Sequence, residues 1–192
     1  MAIAVSLALR RQQEECALVA CRQEQEAAAA AALQLERVAE ERFWRFMDAA
    51  GRGDVLLMSE LHDEDPALVA RTNRRGETAL HVAVAAVDTE AAARWLLQHA
   101  PQLATARDSR GATPLHAAAK AANVAAVHVL LAHAPQTALA QDAEGRTPLL
   151  TAASEFVFTG NGRLVEVQCL LREAAPAADG VADHRGRTPH CY

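Results

Sequence analysis

The chain has 192 residues, of which 51% are hydrophobic but only 4% aromatic, and its formal net charge is −5 at pH 7. A net acidic chain is a poor candidate for bulk nucleic-acid binding, and it contains no run of 18 apolar residues that predicts a membrane span. The four cysteines form no CxxC pair, which favours reduced thiols in a cytoplasmic or nuclear protein; they are Cys16, Cys21, Cys169 and Cys191.

Residues 1–42 are predicted to form a helical extension. They are rich in Ala, Glu, Gln and Arg, contain no Gly or Pro, and include the unbroken alanine run 27–32. This composition favours a long helix. The apolar positions keep no sustained heptad, so two interpretations stay open: a solvated helix that leads into the rest of the chain, or a coiled coil.

Residues 43–75 begin with large apolar side chains. Phe43, Phe46 and Met47 predict an apolar helix, and Gly53 with Asp54 marks the start of a second helix over 55–61. The segment closes on three acidic residues before Pro66, a pattern that lacks the spaced ligands of a calcium loop.

A short sequence motif then recurs along the chain. It begins at Arg75, Arg110 and Glu144, and returns in altered form at Arg185. Its glycines are 35, 34 and 41 residues apart, and a proline precedes each glycine by ten residues; these prolines are Pro66, Pro101, Pro135 and Pro176. A period in the thirties indicates a solenoid of stacked units.

The residue types of this repeated motif explain the turn and the helix of a single repeat. Gly supplies positive φ, and an adjacent Asp accepts hydrogen bonds from its own turn. Thr113 and Pro114 begin a helix, because Thr accepts from free amide groups and Pro lacks only an N–H that would be unpaired there. Leu115 starts an apolar face at helical spacing, so each unit buries its apolar faces against its neighbours.

Gly-x-Thr-Pro-Leu-His followed by an Ala-rich helix resembles the ankyrin repeat. The resemblance implies an all-α solenoid of stacked helix pairs over 43–192: a divergent capping repeat at 43–75, repeats at 76–107, 108–141 and 142–180, and a truncated repeat at 181–192. The repeat motif then comprises Gly76, Thr78, His81, Gly111, Thr113, His116, Gly145 and Thr147. The Pro-x-Leu-x-Ala step before each turn is also similar to plant ankyrin-repeat membrane proteins, without their membrane segment.

The resemblance implies a structural role for His81 and His116, each bonding the turn of the neighbouring repeat. Equivalent positions in a solenoid lie a full repeat apart, so these histidines are not expected to converge on a metal. Leu150 stands at this position in the next repeat, where the bond is expected to be absent. No nucleophile elbow, phosphate loop or HExxH motif is present, so we expect neither catalysis nor a cofactor.

Two irregularities follow. An insertion at about 155–162 is predicted as a loop between two helices, with Phe156 and Phe158 either folded back on the array or contacting a partner. At 181–192 a further unit starts, and by comparison with the repeated motif a Leu is missing between Pro189 and His190. This ending predicts that the helix faces of the preceding repeat lie open.

We therefore expect a non-enzymatic module that binds another protein along the concave face formed by the turns and inner helices. The expected contact residues are Arg74, Arg75, Val82, Arg110, Lys120, Glu144 and Ser154. Two alternatives stay open. The arginine-rich turns could bind phosphate in nucleic acid or lipid headgroups, or the chain could be a truncated product without its own partner.

Overall fold

The computed structural model describes the backbone of residues 2–191 and the side chains of residues 22–191. The described backbone holds eight α-helices and no β-strand, which confirms the all-α prediction. The helices are α1 (Ala2–Arg52), α2 (Val55–Glu64), α3 (Ala79–Ala85), α4 (Glu90–His99), α5 (Pro114–Lys120), α6 (Val124–His133), α7 (Pro148–Thr159) and α8 (Arg163–Ala174).

The chain divides into two units, residues 1–42 and residues 43–192. In the first unit, all side chains from 22 to 38 are exposed, including those of Leu33 and Leu35. The apolar positions at 7, 18 and 19 lie outside the described side chains. The coiled-coil interpretation concerns a second chain and stays a prediction.

The second unit begins with the last part of α1 and with α2. Phe43, Phe46 and Met47 are buried because α1 presents one apolar face to the following helices. A turn at Gly53 separates the two helices, and the Asp54 carboxylate caps α2 by accepting from the Leu57 N–H at 3.1 Å. The arginine of the following loop, Arg71, lies over the Phe43 ring at 4.6 Å.

Helix pairs then stack in chain order. The inner helices α3, α5 and α7 pack side by side, the outer helices α4, α6 and α8 do the same, and each inner helix contacts its own outer helix. Equivalent leucines of the inner helices are fully buried at Leu80, Leu115 and Leu149. Alanines fill much of the remaining core, which lets the short helices approach closely.

The periodic prolines begin short 3₁₀ helices that connect each outer helix to the next turn. These segments are Pro66–Ala70, Pro101–Thr105, Pro135–Leu139 and Pro176–Gly180. Each proline occupies the first turn, where its fixed φ suits the helix and its missing N–H costs nothing. Leu68 and Leu103 in these segments are buried, so the connections belong to the core.

The predicted loop at about 155–162 is corrected in its first part, because residues 155–159 lengthen a helix and only residues 160–162 lie between α7 and α8. α7 has 12 residues, whereas α3 and α5 have 7 each. Phe156 packs against the core and anchors the additional turns. The helix ends at Gly160, whose φ of 63° provides a left-handed C-cap.

The prediction that a Leu is missing near residue 190 is also corrected. The Thr188 N–H donates to the Cys191 sulfur at 3.5 Å, just as the Thr113 N–H donates to His116 Nδ1 at 3.2 Å. Cys191 therefore takes the place of the motif histidine, and His190 takes the place of the motif leucine. The 3₁₀ helix Pro189–Cys191 contacts α7, so the buried face of α7 does not lie open as predicted.

Candidate functional site

An acidic or amide side chain organises each turn between repeats. Asp108 Oδ1 accepts from the backbone N–H groups of Arg110 and Ala112, both at 2.8 Å. Asp142 and Asp183 repeat this pattern in the next two turns. In the first turn the side-chain amide oxygen of Asn73 accepts the two equivalent hydrogen bonds. One carboxylate oxygen thus satisfies two amide groups of a tight turn.

Backbone hydrogen bonds join successive turns into a row. The Ser109 N–H donates to the Arg75 carbonyl at 2.9 Å, and the Ala143 N–H donates to the Arg110 carbonyl at 2.8 Å. Gly76 adopts a φ of 71°, and a Cβ there would lie 2.8 Å from the Ser109 nitrogen. Glycine is therefore required at this position by the backbone conformation and by the next turn.

The two motif histidines add a second connection between repeats. His81 Nδ1 accepts from the Thr78 N–H at 3.2 Å, so Nε2 carries the proton and donates to the Ala112 carbonyl at 3.2 Å. His116 repeats this arrangement, and its Nε2 lies 2.9 Å from the Arg146 carbonyl. Each imidazole thus caps its own helix and fastens the following turn.

Both imidazoles are held neutral. Burial lowers the pKa of His81 and of His116, because the charged ring would lose its hydration. A proton on Nδ1 would also face the Thr N–H that Nδ1 now accepts. These rings are therefore poorly suited to charged contacts with a ligand.

The turn carboxylates are held ionised. Burial alone would raise the pKa of Asp108, but the N–H groups of Ala112 and Arg110 and the Arg110 guanidinium outweigh it, and the pKa is lowered. The pKa of Asp142 is lowered by the same balance, with Arg146 as partner. The Arg187 guanidinium lowers the pKa of Asp183 to about 2.

A groove of about 710 Å³ runs along the inner helices of the second unit. Four repeats contribute to it, from the last turns of α1 through α3 and α5 to α7. Its floor consists mainly of small or apolar side chains, namely Met47, Gly51, Val82, Ala85, Ala86, Ala117 and Ala121. Such a floor leaves room for side chains of a second polypeptide.

Charges of both signs line the walls of this groove. Arg110 pairs with Asp108 at 3.1 Å, and Arg146 pairs with Asp142 at 2.8 Å along the turn side. On the helices, Lys120 lies 3.5 Å from the Glu155 carboxylate, and Arg52 pairs with Asp48. The walls therefore offer paired charges and no uniform field of one sign.

The predicted contact residues divide between the groove and other positions. Val82, Arg110 and Lys120 line the groove. The remaining four are not among its lining residues. Arg74 and Arg75 are exposed at the first turn, Glu144 lies 3.3 Å from the Arg146 guanidinium, and Ser154 donates to the Thr151 carbonyl at 2.9 Å.

Several turn arginines hold the repeats themselves. Arg107 donates from Nη1 to the carbonyls of Gly111 and Gln141 at 2.8 and 2.6 Å, and so bridges two turns. Arg187 Nη2 lies 2.6 Å from the Asp183 carboxylate, and Arg146 Nη2 lies 2.8 Å from the Asp142 carboxylate. Three of the turn arginines, Arg110, Arg146 and Arg187, are thus paired with carboxylates within the turns.

Sequence reasoning missed the groove residues Arg146, Thr151 and Glu155, and it treated the turn aspartates only as structural. Thr151 and Glu155 are four residues apart, which places them on one helix face only because α7 continues through residue 155. The pairing of Arg146 with Asp142 has a similar spacing of four, but it depends on the folded turn.

The described residues contain no group of three or more His, Cys, Asp or Glu side chains arranged to hold a metal. Cys169 and Cys191 are free and exposed, while the side chains at 16 and 21 lie outside the described part. No helix in the described part of the chain is both long and apolar enough to cross a membrane.

Part of the chain matches a known family. Residues 46–138 match the family model of ankyrin repeats, in three copies. No curated protein matches the chain. The turn geometry described above continues past the matched region, since Asp142 and Asp183 hold their turns as Asp108 does.

Proposed function

The chain belongs to the ankyrin-repeat family, whose members are generally protein-interaction modules, and we propose that it binds a segment of another protein in the groove of its inner helices. The observation that carries the proposal is the continuity of this groove across four repeats, with a floor of small side chains. We propose a binding role without catalysis.

The size of the groove suits a polypeptide segment. Packed helices lie about 8–10 Å apart, so the three intervals from α1 to α7 span on the order of 27 Å. A helix of about 18 residues, or an extended strand of about 8, covers that distance. Of the predicted contacts, Val82, Arg110 and Lys120 would meet this segment directly, and Arg74, Arg75, Glu144 and Ser154 are proposed as contacts at its margin.

The charge pattern favours a protein partner over a phosphate. A phosphate-directed surface gathers cations without acidic neighbours, whereas Arg110, Arg146 and Lys120 each have a carboxylate partner. Binding to a mixed-charge segment should therefore depend weakly on salt. A phosphate-driven complex would instead weaken steeply as salt rises.

The test uses a displayed library of peptides of about 18 residues, selected on the full chain. Ala85 is exposed and lines the groove, so Ala85→Arg should block the selected peptides without unfolding the protein. Ala91→Arg, the same change at an exposed position on α4, is the matched control and should leave affinity unchanged. Binders that tolerate Ala85→Arg would place the site elsewhere and overturn the proposal.

A further inference from the structure

The additional length of α7 distinguishes this helix from the other inner helices. Five more residues than α3 or α5 extend it by roughly 7.5 Å, at 1.5 Å per residue. Phe156 packs against the core and α7 contacts α8, so the extended helix forms part of the packed array. The wall of the groove therefore continues along α7 past the level at which the shorter helices α3 and α5 end.

The exposed aromatic residue of this extension shares a face with groove residues. Thr151 and Glu155 line the groove, and Phe158 follows them at i+7 and i+3 on the same helix. Residues at this spacing lie along one helix face. Phe158 is 83% exposed, the highest value among the large hydrophobic side chains that the structure describes. An apolar ring therefore stands in solvent at the end of the groove wall.

We propose that Phe158 is a specificity-determining contact that extends the groove, and that the partner segment places a large apolar side chain against this ring. This inference rests on the proposed function. The occupant is a segment of another protein with mixed charges along most of its length, which meets the paired charges of the walls, and with an apolar residue at the end that lies over α7. Two observations support this occupant. Phe158 lies on the same face of α7 as the groove residues Thr151 and Glu155, and the charges of the groove walls are paired, as Lys120 is with Glu155.

The peptides selected on the full chain provide the probe. Phe158→Ala should weaken the selected peptides roughly tenfold or more, as expected of an aromatic hot spot, whereas Phe158→Met, which keeps an apolar side chain, should retain most of the affinity. Leu56 is a matched control, because it is 78% exposed but lies on α2. Leu56→Ala should leave affinity unchanged. Sequences of the selected peptides should share a large apolar residue near one end.

The outcomes separate the two proposals. Peptides that are lost with Ala85→Arg but bind normally to Phe158→Ala would overturn the role of Phe158 and leave the groove intact. Peptides that tolerate Ala85→Arg would overturn the groove, and the inference with it. Sedimentation of the protein alone tests a second copy as occupant: self-association that Phe158→Ala abolishes would contradict the partner proposed here. An unchanged melting temperature shows that Phe158→Ala keeps the fold.

Discussion

His116 Nε2 lies 2.9 Å from the carbonyl oxygen of Arg146, a residue 30 positions further along the chain. The same ring accepts from the Thr113 N–H through Nδ1, so one neutral side chain caps its helix and fastens the next repeat. In a solenoid each unit is stable only through its neighbours. The bond between His116 and Arg146 is therefore a contact between units as much as a cap within one.

We expect His116→Ala to lower the free energy of unfolding by about 1–3 kcal/mol, because it leaves a buried amide and a carbonyl without partners. Lys120→Ala, at an exposed position on the same helix, should change stability by less than about 0.5 kcal/mol. Urea unfolding followed by circular dichroism measures both. Equal midpoints for the two variants would show that the bond between repeats contributes little.

Stability should fall as the pH drops below about 6.5, the ordinary pKa of histidine. The folded-state pKa of His81 and of His116 is lowered, so the unfolded chain binds more protons in this range. The stabilisation is complete above the unfolded pKa and is lost as the pH falls towards the folded one. Urea midpoints at about pH 7.5 and about pH 5.5 measure the difference.

The control for this pH effect compares two single variants. His116→Asn removes one buried titrating ring, and the difference between the two midpoints should shrink. His128→Asn changes an exposed histidine and should leave the difference as it is. The lowered pKa values of Asp108 and Asp142 affect stability only below about pH 4, outside this window.

Gly76→Ala should destabilise the array by roughly 1–3 kcal/mol, because the new Cβ meets the Ser109 nitrogen and the φ of 71° is unfavourable for alanine. Gly162 has a φ of −58° and open space around its Cα. Gly162→Ala should therefore be neutral, or stabilising by up to about 1 kcal/mol. Thermal unfolding compares the two, and a smaller loss at Gly76 than at Gly162 would contradict the prediction.

Leu115→Ala should cost roughly 2–5 kcal/mol, because Leu115 is fully buried between neighbouring repeats and the change leaves a cavity. Gln102→Ala, in an exposed part of a 3₁₀ helix, should cost less than about 0.5 kcal/mol. Denaturant midpoints again provide the measurement. A similar loss for both variants would mean that the core is not centred on the inner-helix leucines.

Local sequence chemistry predicted most of the repeat, since Gly, Asp, Thr and Pro each restrict only the backbone beside them. The α7 extension was not predicted, because Gly160 and Gly162 are typical loop residues. In the structure the helix continues to Thr159 and ends only at Gly160. Phe156 anchors the extension by packing against the core, and residue types alone do not reveal this contact. The groove residues Arg146 and Glu155 were missed for a related reason, because a long charged side chain can extend into solvent or fold back onto a neighbour.

The sequence by itself determined the family, the all-α architecture and the turn at each repeat, because these depend on spacing and on the conformational limits of a few residue types. Only the tertiary structure decided which charges remain available to a partner. Arg110 and Arg146 lie against turn carboxylates that the fold holds ionised. It also decided that Phe158 stands exposed beside the groove while Phe156 is packed, since two residues that are two positions apart on one helix differ by about 200° in direction.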